Sequence, residues 1–168
     1  MKSTLCLILA FVLLLGLCGC GSTAGKDQAT FYYPRIEFDF GSSNSIMVPE
    51  LHDVTGHADD LWYMLSLYLR GPTDPELKFA FPDGTILVEL EQVESTLHVT
   101  LSSSSSKLEP ADLLASCGCL AQTCFAICDA QVVHIDSLVS AAGNYVDMTF
   151  TRDSILLTGN EILPDATE

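Results

Sequence analysis

The chain has 168 residues, with 22 acidic against 7 basic side chains and a formal charge of −15. That is one domain's length, enough to bury a core without metals or disulfides. A charge of this sign repels phosphate backbones, and no Lys/Arg cluster offers a local exception, so nucleic-acid binding is not expected. Adhesion to anionic lipid through basic residues is not expected either.

Lys2 leads into Leu5–Leu17 (LCLILAFVLLLGL), which carries no charge. Its thirteen residues reach about 20 Å as a helix, against about 30 Å of bilayer hydrocarbon. A basic start and a short apolar run read as a secretion signal over residues 1–19. Leu17-Cys18-Gly19-Cys20 resembles the lipobox read by lipoprotein signal peptidase, with Cys20 as the acylated residue. The register is specific, because acylation at Cys18 would place Leu17 where a small residue belongs. Two fatty chains of the palmitate class, at about 0.8 kcal/mol per buried CH₂, hold a protein lastingly at a membrane.

Residues 20–29 are small and polar and read as a tether. A strand is expected around Pro34, with Ile36, Phe38 and Phe40 on one face, and Ile46–Pro49 returns beside it. Residues 56–70 read as a helix: Asp59 and Asp60 favour its start, and Leu61, Met64, Leu65 and Tyr68 form an apolar stripe widened by Trp62 and Leu69. Gly71-Pro72 stops it. Thr85–Glu91 alternates Ile86, Val88 and Leu90, and Thr96–Leu101 alternates Leu97, Val99 and Leu101, so the two form a hairpin. Ser102–Ser106 reads as a loop. A second helix starts at Pro110 and runs to about Cys128, small and apolar nearly all round. Gln131–Val139 and Asn144–Thr151 read as strands, the latter alternating Tyr145, Asp147 and Thr149 against Val146, Met148 and Phe150; a short edge at Ile155–Leu157 and an acidic tail over 159–168 follow. The expected architecture is a single α+β domain over residues 30–158, order β(β)α ββα ββ, with two helices on one face of a mixed sheet.

These residues resemble a family. Leu67-Tyr68-Leu69-Arg70-Gly71-Pro72 resembles the Leu-x-x-Gly-Pro signature of GerM-type domains, and Phe81-Pro82-Asp83-Gly84-Thr85-Ile86-Leu87 resembles their Pro-x-Gly-Thr-x-Leu turn into a strand. Leu97-His98-Val99-Thr100-Leu101-Ser102 is similar to the strand that follows, and Gly41–Val54 to a hairpin ending in Val-Pro-Glu. The resemblance covers about residues 30–140, with a cysteine-rich second helix and the segment after Ser140 as departures. It implies a fold akin to ring-building motifs, an envelope lipoprotein, and a part in sporulation or spore germination. It implies no catalytic residues.

Cys117, Cys119, Cys124 and Cys128 fall within the second helix. Cys117 to Cys128 spans about 16 Å, too far for one ion, and Cys117 to Cys124 about 10 Å, too far for a disulfide. Small buried apolar side chains explain them; redox or metal chemistry is the competing reading. His52, His57, His98 and His134 are scattered. His57 with Asp59 and Asp60 fits a solvated helix start, and Asp136 shares a strand face with His134 without a nucleophile placed beside them. No G-x-S-x-G, Walker or Rossmann pattern is present.

The expectation is a non-enzymatic lipoprotein, anchored through Cys20 at the extracytoplasmic face of the cell membrane. It would need no cofactor or metal and would bind envelope proteins or itself. The alternative is a ligand-binding or sensing lipoprotein for cell-wall fragments or small molecules, with Phe31, Tyr32 and Tyr33 as an aromatic platform.

Overall fold

The structure, a computed structural model, describes residues 27–36 and 46–154. The signal, Cys20, residues 37–45, the expected edge at Ile155–Leu157 and the acidic tail lie outside the described residues.

Strand β1 is Gln28–Pro34 and pairs antiparallel with β2, Met47–Asp53. Ala29, Phe31 and Tyr33 alternate inward and are buried, and Pro34 is the last residue of the strand; of the expected Ile36, Phe38 and Phe40 face, Ile36 is exposed and the other two lie outside the described residues. A proline has no N–H to continue the ladder, although its carbonyl still accepts from Lys78 N at 2.8 Å. The strand begins two residues before the expected start of the domain at residue 30, held where Val54 N donates to Asp27 O.

Helix α1 is Leu61–Tyr68, shorter than expected. Gly56 sits at φ +78°, and Asp60 adopts a non-helical conformation and caps the helix by accepting from Tyr63 N at 2.9 Å. Met64, Leu65 and Tyr68 are buried as the stripe requires, but Trp62 turns to solvent.

Strands β3 (Leu87–Val93), β4 (Thr96–Leu101), β5 (Val132–Ser137) and β6 (Asp147–Thr151) form one sheet in that order, antiparallel except for the β4–β5 pair. The parallel pair requires a crossover, which helix α2, Pro110–Ile127, supplies with Pro110 in its first turn. The β4, α2 and β6 patterns match expectation. In β3 the phase differs: a bulge between Leu87 and Glu89 turns Leu87 inward and leaves Ile86 and Val88 exposed. The serine run is a 3₁₀ helix, Ser103–Lys107, whose Ser105 is fully buried with its hydroxyl on Ser102 O.

The first hairpin does not join this sheet. It runs beside α2, where Tyr32 N donates to Thr123 Oγ1 at 2.8 Å and Thr123 Oγ1 donates to Cys119 O. Ala115, Ser116 and Gly118 are small residues in the buried part of this helix. Between hairpin, helices and sheet lies the core, with Phe31, Leu65, Leu97, Leu120 and Ile135 at its centre. α2 is apolar and long enough to cross a bilayer by composition, yet its buried face belongs to this core. Arg152 closes its C-terminus, donating to the carbonyls of Phe125, Cys128 and Ala130 while lying over the Phe125 ring. The result is a single α+β domain with a two-stranded and a four-stranded mixed sheet.

Candidate interaction groove

The chain leaves α1 through Gly71, whose φ is +97°. The Phe79 ring lies where a Cβ on Gly71 would stand, so only glycine lets this ring fold back over the turn. Beyond Pro72, Thr73 and Asp74 are fastened by Glu50, which accepts from Asp74 N at 2.7 Å, from Thr73 Oγ1 at 2.6 Å and from Thr73 N. His52 completes the set at 2.6 Å and stacks on Phe31. Burial alone would raise the Glu50 pKa, but the hydrogen bonds from Thr73, Asp74 and His52 outweigh it and hold the carboxyl below its ordinary value. The Val-Pro-Glu and Gly-Pro motifs are therefore one structural unit, joined through a single carboxylate.

From there Leu77 bridges to Arg35, and Lys78 pairs with Asp112 at 2.9 Å. The Pro82-Asp83-Gly84-Thr85 turn closes through Thr85 N and Oγ1 to Pro82 O, with Gly84 at φ +80°. Between the two motif turns opens a groove of about 1170 Å³. Its apolar walls include Ile36, Phe79 and Ile86, which are 55%, 59% and 61% exposed. Grouped along one groove, these side chains form an exposed apolar patch among the described residues. The Arg70 guanidinium and the Asp83 carboxylate on its rim have no partner among the described residues.

The groove sits at one end of the fold. It touches Leu69 and Arg70 after α1, Leu108 before α2 and Ile86 before β3. The opposite ends of those elements gather elsewhere: Asp27 lies with residues 56–60, of which Ala58 and Asp59 share a recess with Gln92, Ile127 and Cys128. About 27 Å of α2 separates the two ends. Residue 27, from which the chain leads back to Cys20, is thus at the pole away from the groove.

Other candidate residues fall outside the groove. Phe31 and Tyr33 are core residues, which overturns the aromatic platform; Tyr33 stacks on Tyr68 and donates to its backbone oxygen at 3.1 Å. Burial, with the Glu50 charge nearby, pushes the Tyr33 phenol pKa up. Cys117, Cys119 and Cys124 are fully buried and Cys128 is half-buried, all as free thiols. Desolvation pushes the Cys117 thiol up to about 12 and raises the other three as well, so these are apolar SH groups. His57 stacks on Tyr63, 3.9 Å from Asp60. His98 and His134 meet across β4 and β5 with ring centres 5.5 Å apart, and His134 lies 4.0 Å from Asp136. Among the described residues no group of three or more His, Cys, Asp or Glu side chains is placed to hold a metal ion. Phe79, Ile86 and Arg70 were not singled out as a site by sequence. The usable signal was that two glycine turns only about a dozen residues apart must bring their flanks together.

No family model matches the chain, and no curated protein matches it. Among solved structures, the tandem GerMN domains of the sporulation protein GerM from Bacillus subtilis align over 80% of this chain with a TM-score of 0.53 and 18% identity. The chain has the fold of a GerMN domain. It spans about half the length of that tandem protein, 49%, as one GerMN-type unit. A Clostridium perfringens protein described as a candidate lipoprotein aligns over 75% of this chain and 87% of its own, at TM-score 0.47 and 16% identity.

Proposed function

We propose that this chain is a lipid-anchored, non-enzymatic envelope module that docks another envelope protein in the groove at the pole opposite its tether, in sporulation or spore germination. Three exposed apolar side chains line that groove, and the motifs resembling GerM-type signatures build it. The lipobox ending at Cys20 supports the anchor, and the GerMN-type fold supports the process. An acyl anchor confines the chain to a surface, where a modest groove affinity is enough because the effective concentration is high. An apolar groove at the end of the fold away from residue 27 suits a protein partner.

Blue-native electrophoresis of the full chain extracted from its own membranes tests the docking. It should migrate in a complex, and the Phe79→Ser chain should migrate free. Equal migration of both would contradict the groove reading. Intact mass tests the anchor separately: the mature chain should begin at an acylated Cys20.

A further inference from the structure

The groove continues across the end of the four-stranded sheet. Ser102 N donates to Ile86 O at 2.9 Å, and Leu138 N donates to Leu101 O at 2.9 Å. Ile86 on the groove wall, Ser102 and Leu138 therefore stand side by side, where β3 begins and where β4 and β5 end. Neighbouring strands lie about 5 Å apart, which puts Leu138 about 10 Å from the groove wall.

Leu138 opens the β5–β6 loop, in which Leu138, Val139 and Tyr145 are 50%, 65% and 61% exposed. Polar bonds fix its backbone. Ser137 Oγ accepts from Val146 N at 2.9 Å, Ser140 N donates to Asn144 O at 2.8 Å, and Gly143, at φ +83°, donates to Ser140 O. Val146 is buried at the loop's foot, so the apolar tips are held outward as those of the groove are. The chain carries a charge of −15, yet residues 137–146 and Ser102–Ser106 contain no charged side chain. The charged residues that line the groove cancel, Arg70 and Lys78 against Asp74 and Asp83. An acidic molecule thus has one end without net charge, and its exposed apolar side chains run from the groove to this loop.

We infer that the groove and the β5–β6 loop are one docking surface, whose occupant is a folded protein presenting an uncharged apolar face; this rests on the groove reading and names the kind of partner. The area decides between a peptide and a folded protein. At about 200 Å² for a large side chain, Ile36, Phe79 and Ile86 offer about 350 Å², and Leu138, Val139 and Tyr145 about double it. One partner gives about 800 Å² to a specific interface, so the groove alone falls short and the two parts together come close. An extended peptide would fill the groove and leave the loop uncovered. A second copy in the same bilayer does not fit either. Its matching end also points away from the tether, and its outer sheet face carries Glu89, Glu91, Asp136 and Asp147 with no Lys or Arg.

The test uses the full chain in its native cells, with a photo-reactive phenylalanine analogue placed at Phe79 or at Tyr145. Both positions should give an adduct to one and the same protein, identified by the masses of its peptides, and that protein should not be this chain. Leu138→Ser/Val139→Ser should lower the adduct from position 79 about tenfold. Leu51→Ser/Val93→Ser, an equal loss of exposed apolar surface elsewhere, should change it less than about twofold. Both double variants should melt within about 4 °C of the parent chain, since every replaced side chain is exposed. An adduct from position 79 alone would overturn the inference and leave the groove reading standing. Different proteins at the two positions, a dimer of this chain, or equal loss in the two double variants would also overturn it. No adduct from position 79 would remove the groove reading and the inference together.

Discussion

Helix α2 and the groove are both rich in apolar side chains, and they use them in opposite ways. In α2 the apolar face is sealed: Cys117, Leu120, Cys124 and Phe125 lie inside the core, and the thiols serve as small packing groups. Around the groove, Ile36, Phe79 and Ile86 stand in solvent, while the order of the loops that carry them comes from polar groups, Glu50 above all. One region has its apolar surface buried to hold the fold. The other has its backbone held by hydrogen bonds so that apolar surface can stay outside.

That contrast can be broken by exchanging the readouts. Leu120→Ala should cost about 2–5 kcal/mol of stability, read from denaturant unfolding, because a fully buried side chain leaves a cavity. Complex formation by the molecules that remain folded should be unchanged. Glu50→Ala comes next, at about 1.5–3 kcal/mol, since it strips charge-assisted bonds from Thr73 and Asp74; here the groove should loosen too, and complex formation should fall with stability.

The same carboxylate gives a pH dependence. Folding lowers the Glu50 pKa, so its contribution is present above the unfolded value of about 4.3 and is lost as pH falls through the lower folded value. Melting temperature should therefore fall on acidification below that range, less steeply in Glu50→Gln. Phe79→Ser sharpens the comparison from the other side. Its stability change should stay within about 0.5 kcal/mol, because the ring is mostly exposed, while complex formation is lost. At the β3–β4 turn, away from both regions, Glu94 holds φ +54°: Glu94→Gly should stabilise by up to about 1 kcal/mol and leave complex formation unchanged, seen as a small rise in melting temperature.

Much of the fold was legible where a periodic pattern met a stop signal. Leu97-Val99-Leu101 alternates cleanly, and Pro110 marks the start of α2. Reading failed where two patterns competed. The aromatic run around Pro34 offers one alternation before the proline and another after it; pairing with β2 and packing on α2 bury the one before it, Ala29, Phe31 and Tyr33. In β3 the bulge shifts the phase, so Ile86 and Val88 look like core residues and are exposed. The groove was hidden for a related reason. Apolar identity does not say whether a side chain is covered, and the cover at Phe79 is decided by a glycine eight residues earlier. Glu50 likewise reads as one more exposed acid until the loop after Gly71 is seen to close on it.

The most direct test of the groove places a photo-reactive phenylalanine analogue at Phe79 in one chain and at Trp62 in another, both produced in the native cell and irradiated in intact membranes. Both side chains are exposed, and they lie toward opposite ends of α1. A discrete protein adduct from position 79, with little from position 62, is the expected result. Equal adducts from both positions, or none from Phe79, would contradict a docking groove at the pole away from the tether.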